Sequence, residues 1–333
     1  MGMCRRSRFQ SLQPSPQRLV WLIWLALCWG TQCHAADRIF IGYYESWLAK
    51  INAGDLDEAL AGLPASVNIV NLAFMRPDAQ YSGNLELSGT GFEFRYSGTV
   101  LKDSIAKLKQ RRAGTKVLAS VGGDAYTNWS GLNPTAIAHF IHDFGLDGVD
   151  VDFEPPAAGC KQTRGRIVCD IDGLLSMSIR NLREALPSPA ILELTSVSTG
   201  AFGEGPWKDS APRGSPFYGM MLELLRDPRR REQIDILSIM AYDAGSTFDP
   251  LESFDAFRNY FRGPIAIGFT PPPESWGDHS YSDQEVEAVL RAALSRGAAG
   301  AMLFSLRRTH GQPQTANGLA PLVRVISTVL QGP

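Results

Sequence analysis

Asp147-Gly148-Val149-Asp150-Val151-Asp152-Phe153-Glu154 sets an acid at every second position of what otherwise reads as a buried β-strand. Successive strand residues point to opposite faces. Asp150, Asp152 and Glu154 therefore share one face with Gly148, while Val149, Val151 and Phe153 enter an apolar layer on the other. A row of carboxylates inside a fold is costly, because burial disfavours the charged form and each neighbouring acid disfavours it further. A chain that keeps such a row points to its use as proton donor or charge stabiliser. Asp147 has the other parity and starts the strand, which predicts a turn or capping role. Glu154 is followed by Pro155-Pro156, which stop the ladder and leave its carboxyl at the strand's end.

On either side of this stretch, short apolar, β-branched runs alternate with helical patterns eight times, the sequence form of a βα-barrel. Strands are expected at 38–44, 67–74, 116–121, 148–154, 191–197, 234–242, 265–269 and 299–305. Asn133-Pro134 offers an N-cap with proline at the first helical position, Ser282-Asp283-Gln284-Glu285 reads as a capping box, and Pro187 stops a helix that begins near Asp172. The expected fold is α/β, a single-domain (β/α)8 TIM barrel over residues 37–333, with its functional residues at the C-terminal ends of the strands. Residues 270–298 have room for one helix and little else. No α+β insertion is expected there, and the cleft should be shallow and open.

Residues 1–36 carry Arg5, Arg6, Arg8 and Arg18, no acid, and an apolar run from Leu19 to Gly30, which reads as a secretory signal peptide. The run of about 12 residues falls short of the roughly 20 needed to span a bilayer. A secreted or periplasmic protein follows, with no membrane association after cleavage. Cys4, Cys28 and Cys33 leave with the leader, and Cys160 and Cys169 remain to form a disulfide worth roughly 3 kcal/mol. Losing the leader's arginines takes the formal charge from −2 to −6. No nucleic-acid or anionic-membrane footprint is visible, so a neutral partner is expected; a monomer is the default expectation. There is no Gly-rich phosphate loop and no His-x-His or His-Glu-x-x-His cluster, and no cofactor is expected. His139 and His142 fall on an outer helix.

The Asp-Gly-x-Asp-x-Asp-x-Glu spacing resembles the signature of family 18 glycoside hydrolases, the family of the chitinases. Ser120-Val121-Gly122-Gly123 after the third strand, Met240-Ala241-Tyr242-Asp243 at the end of the sixth, and Gly42-Tyr43-Tyr44 on the first resemble further motifs of that family. The resemblance implies that the neutral partner is chitin or a chito-oligosaccharide. It also implies retaining, substrate-assisted hydrolysis of β-1,4-linked N-acetylglucosamine chains, in which the substrate's own N-acetyl oxygen attacks the anomeric carbon. Glu154 would then be the general acid. Asp152 would orient the acetamido N–H and hold Glu154 in a protonated pair, and Asp150, one step deeper, would share a proton with Asp152. Tyr242 would hydrogen-bond the acetamido carbonyl, Asp243 a sugar hydroxyl, and Met240 would lie beside them. Tyr43 and Ser120, grouped with the substrate-binding residues, resemble the pair that hydrogen-bonds the innermost aspartate.

Beyond the leader the tryptophans are Trp47, Trp129, Trp207 and Trp276, each shortly after an expected strand and none on an expected helix. Their rings suit stacking on sugar faces at the barrel rim. Phe304 stands on the last strand where the family usually carries tryptophan, leaving a smaller platform and two neighbouring readings. These are an endo-β-N-acetylglucosaminidase acting on Asn-linked glycans and a non-hydrolytic chitin-binding relative. From another class, Asp-x-Asp-x-Glu could ligate a divalent metal for phosphoryl or enolate chemistry.

Overall fold

In the computed structural model, which describes residues 38–48, 60, 62–276, 279–306 and 320–332, the alternating pattern closes on itself. Eight parallel strands form the barrel: β1 (Ile39–Glu45), β2 (Ile69–Met75), β3 (Lys116–Gly122), β4 (Gly148–Asp152), β7 (Ile191–Val197), β8 (Ile236–Met240), β9 (Ile265–Phe269) and β10 (Gly300–Leu303). They neighbour one another in that order, and β10 pairs with β1. The remaining two strands, β5 (Lys161–Thr163) and β6 (Arg166–Val168), make an antiparallel hairpin between Cys160 and Cys169, which are joined as a disulfide. The expected leader lies outside the described residues. Among the described residues no helix is long and apolar enough to cross a membrane.

Helices α1 (Gly98–Arg111), α2 (Pro134–Phe144), α3 (Asp172–Ala185), α4 (Leu222–Arg226), α5 (Pro228–Arg231), α6 (Pro250–Tyr260), α7 (Asp283–Ser295) and α8 (Leu322–Gln331) connect the strands or follow them. Asn133 accepts the Ala136 N–H at the start of α2, with Pro134 in the first turn. Ser282 and Glu285 close a reciprocal capping box on α7. Both satisfy backbone donors that a helix start leaves without partners. His139 and His142 lie exposed on α2. Among the described residues α7 is the one regular element between β9 and β10, so no α+β insertion stands there.

Strand parity separates two cores. Val149, Val151 and Phe153 face outward into a continuous apolar layer with Phe140, Leu192 and Leu194. Facing inward, Ile41, Ile69, Leu118, Ile236, Ala266 and Met302 fill the barrel. Each fully buried apolar side chain contributes roughly 1.5–3 kcal/mol relative to exposure, so the outer layer is the larger source of stability. Asp147, off the inner face, accepts the Val117 N–H at 2.8 Å and pairs with Lys109 at 2.6 Å, a joint between strand starts.

Three strands end earlier than expected, β10 at Leu303 among them. β4 stops at Asp152, where the Asp152 carbonyl accepts the Gly123 N–H at 2.9 Å, and Pro155 and Pro156 beyond it have no N–H to extend a ladder. β8 stops at Met240, which leaves Tyr242 and Asp243 on a loop. Gly122 makes the tight turn after β3 possible. At φ +111° it adopts a conformation that side-chain-bearing residues avoid, and a Cβ there would lie 2.1 Å from the Asp152 carbonyl oxygen.

Candidate active site

Inside the barrel, Asp150 stands between Ser120 on β3 and Glu193 on β7 in the strand register. Its carboxylate is wholly buried and receives three hydroxyls: Tyr43 at 2.8 Å and Ser120 at 2.6 Å on Oδ2, and Thr195 at 2.8 Å on Oδ1. Burial pushes Asp150 up to about 6, and the three donors oppose the rise by stabilising the charged form. Tyr43 and Ser120 therefore support Asp150 from below. They are the pair on the innermost aspartate, as the resemblance implies, and although grouped with the substrate-binding residues neither is among those that line the cleft.

One step up the strand, Asp152 is 2 % exposed, and its Oδ1 is buried without a hydrogen-bond partner. No hydrogen bond joins Asp152 to Asp150 or Glu154 among the described residues. Burial, then the charges of Glu154, Asp150, Glu193 and Asp124, hold its carboxyl well above the usual range. Glu154 lies two residues past the strand with its parity kept. Burial, then Asp124 and Asp243, push it from 4.5 up to about 7. The three acids thus stand above the usual carboxylate range in a line from the barrel interior to its mouth, where groups so close titrate together, and Asp150, with its three donors, ionises below neutrality.

A cleft of about 1060 Å³ opens over this line. Asp152, Glu154, Met240, Tyr242, Asp243 and Phe304 all line it, as do Trp47 and Trp276. Phe304 stacks on Phe74 at 6.0 Å between ring centroids and meets Tyr43 edge-on at 5.4 Å. Phe74 stacks in turn on Trp47 at 5.9 Å, so the floor is a run of rings. The Gly123 backbone leaves room for Phe74, since a Cβ there would come within 2.9 Å of the ring. Trp276 is 71 % exposed on the rim.

The other two tryptophans are elsewhere. Trp129 is buried in the outer layer with its ring 4.9 Å from Phe153, so it reads the apolar face of β4. Trp207 is half-buried against the same outer layer. Neither lines the cleft, because both rings pack with the apolar side chains of the outer layer. Nor is the expectation of no helix met: Trp47, Trp129 and Trp207 each sit in a single 3-10 turn.

Several site residues escape sequence reasoning. Glu193 is wholly buried beside Asp150, accepts Ser238 at 2.6 Å and Asn71 at 3.1 Å, and is held well above the usual carboxyl range by burial and then by Asp150. It and Thr195 carry a readable signal, since Ile191-Leu192-Glu193-Leu194-Thr195 repeats the polar alternation of β4. Glu45, Glu93, Asp124 and Tyr126 come to the cleft from loops and strand ends without such a pattern. Among the described residues no three acid, imidazole or thiol groups converge as metal ligands.

A closed βα-barrel with a column of buried carboxyl groups beneath an aromatic cleft has the form of a barrel glycosidase. The sequence profile of the glycosyl hydrolases family 18 matches residues 39–255, and the chain belongs to that family. The chain is 23 % identical over 282 residues to a chitinase of Plasmodium falciparum, covering 70 % of each. Its fold is similar to the crystal structure of a family 18 chitinase from Pseudoalteromonas aurantia, with a TM-score of 0.58, 21 % identity, and coverage of 80 % of this chain and 93 % of that one. It is also similar to human YKL-39, described as a pseudo-chitinase with retained chitooligosaccharide binding, with a TM-score of 0.61, 12 % identity, and coverage of 89 % and 100 %.

Proposed function

We propose that the protein is a secreted chitinase that hydrolyses β-1,4-linked N-acetylglucosamine chains with retention, using the substrate's acetamido group as nucleophile. The observation that carries this reading is Glu154: a cleft-lining acid held up to about 7, directly above the buried Asp152. A carboxyl that stays protonated near neutrality can deliver its proton to the glycosidic oxygen as the C1–O bond breaks. The acetamido oxygen then closes on C1. Asp152, whose Oδ1 has no partner, takes the acetamido N–H, and Tyr242 donates to the acetamido oxygen. Glu154, now ionised, draws the proton from the water that opens the oxazolinium ion, and so returns to its starting state. Asp150 sits beneath Asp152 with its three hydroxyl donors, and its charge favours a proton on Asp152.

No cofactor enters this reaction. The leader and the joined Cys160 and Cys169 support an oxidising destination outside the cytoplasm.

Chitotetraose and cellotetraose, with products followed by NMR before mutarotation, test the reading. Chitotetraose should be cut with the β-anomer released first. Cellotetraose lacks the internal nucleophile and offers Asp152 no acetamido N–H, at roughly 1–3 kcal/mol for the unsatisfied oxygen before chemistry is counted. Cleavage of cellotetraose at a comparable rate, or α-anomer first, would refute it.

A further inference from the structure

Glu274, which no step above uses, lies in the loop after β9, behind the rim of the cleft. Its side chain is only 2 % exposed, yet neither carboxylate oxygen is idle. Oε2 accepts the Asp243 backbone N–H at 2.6 Å, and Oε1 faces His279 Nδ1 at 3.0 Å. The Glu274 N–H donates to the His279 carbonyl at 3.3 Å, closing the loop on itself. His279 meets Tyr281 edge-on at 4.4 Å, and Tyr281 meets Phe269 of β9 edge-on at 6.4 Å. A continuous line of contacts therefore runs from the barrel wall through Tyr281, His279 and Glu274 to the Asp243 main chain.

What this line holds in place is unusual backbone. Asp243 has φ +54°, in the left-handed region that non-glycine residues rarely enter and that persists only where the surroundings hold it. With its N–H fixed by Glu274, Asp243 turns its Oδ1 to the Trp276 N–H at 2.9 Å. One buried carboxylate thus sets the positions of a cleft-lining acid on the β8 loop and of an exposed cleft-lining ring on the β9 loop.

We propose that Glu274 is a positioning residue for saccharide binding: through Asp243 it fixes the wall of the cleft formed by Asp243 and Trp276, and His279 holds Glu274 in register. The role rests on the reading of the cleft as a site for N-acetylglucosamine chains. It predicts a loss carried mainly by KM, with a smaller one in kcat, since Glu154 and Asp152 are carried by β4 and its end while Asp243 reaches Glu154 only through its charge.

Hydrogen exchange of wild type, Glu274→Ala and Glu274→Gln tests the clamp without any substrate. In wild type the Asp243 and Trp276 amides should be protected. In Glu274→Ala they should exchange at least about tenfold faster, and in Glu274→Gln protection should largely return, because the amide oxygen still accepts the Asp243 N–H. With chitotetraose, Glu274→Ala should raise KM about tenfold while kcat falls less than about threefold, and Glu274→Gln should recover most of the loss. Unchanged exchange in Glu274→Ala, an unchanged KM, or a Gln variant as impaired as the Ala variant overturns the proposal.

His279→Phe supplies a second route if Glu274→Ala does not fold. It keeps a ring against Tyr281 but removes the nitrogen facing Glu274, and should give exchange at Asp243 between the wild-type and unprotected rates; full wild-type protection overturns the role of His279 in the clamp. If wild type itself neither binds nor cuts chitotetraose, the saccharide reading fails, and the exchange experiment still decides whether Glu274 holds Asp243 and Trp276.

Discussion

Replacing Glu154 by Gln should make the protein inactive and, above neutral pH, more stable. In the unfolded chain this carboxyl ionises near 4.5, whereas in the fold it keeps its proton up to about 7. Between those values the folded state binds more protons than the unfolded state, so stability falls as pH rises from about 4.5 to 7. The difference corresponds to about 3 kcal/mol at most for this mostly buried group, the upper limit because neighbouring acids titrate with it. Glutamine has the same shape and cannot ionise. At pH 8 the variant should therefore melt up to about 5 °C above wild type, and at pH 4, where both folded and unfolded Glu154 are largely protonated, the two should melt together. Hydrolysis of chitotetraose should drop at least 10²- to 10⁴-fold, roughly the contribution of general acid catalysis. Calorimetry at the two pH values and a reducing-end assay on the same preparation give both numbers. A variant no more stable than wild type at pH 8 would refute the desolvated acid, and near-normal turnover would refute the general acid.

Glu193→Gln should follow the same sign from deeper in the barrel: Glu193 is raised by burial and Asp150, so its removal should flatten the decline in melting temperature from about pH 4.5 upward, and an unaltered slope would count against a buried neutral acid. Trp129→Ala should cost roughly 3–5 kcal/mol of unfolding free energy and leave KM for chitotetraose alone in the molecules that remain folded. Trp276→Ala should do the reverse, with melting little changed and KM up several-fold, about 1 kcal/mol of lost stacking; the opposite assignment of effects would overturn the placement of the two rings. Intact-mass spectrometry of exported protein should find a mature chain beginning at Ala36 or Asp37 with no free thiol, and a chain retaining Met1 or alkylatable cysteines would contradict the leader or the disulfide.

Much of the barrel was legible because strand and helix periods differ and because the polar alternation of β4 has one physical explanation. The strands 191–197 and 265–269 coincide with β7 and β9, and Asp150, Asp152 and Glu154 fall on one face as parity requires. Spacing could not tell a ring that covers the barrel wall from one that lines the cleft. Trp47 and Trp129 both follow inner strands closely, yet the path of each loop decides its direction, and Trp129 packs on Phe153. Glu274 was invisible for a related reason. It lies in Pro271-Pro272-Pro273-Glu274, where no period operates, and its partners Asp243 and His279 come from separate turns. Glu193 differs, because its alternation on β7 was readable and the same inference that singled out β4 applies to it.

The separation of two faces on β4 has a consequence for how the gene tolerates change. In a library of single substitutions scored separately for abundance and for turnover, positions 149, 151 and 153 should affect abundance, because their side chains belong to the apolar layer. Positions 150, 152 and 154 should instead affect turnover, and conservative amides at 152 and 154 should leave abundance equal or higher, since each removes an ionisable group that the fold holds away from water. The two scores would then alternate residue by residue along six positions. Selection for robust folding alone would tend to erase every second residue of this strand.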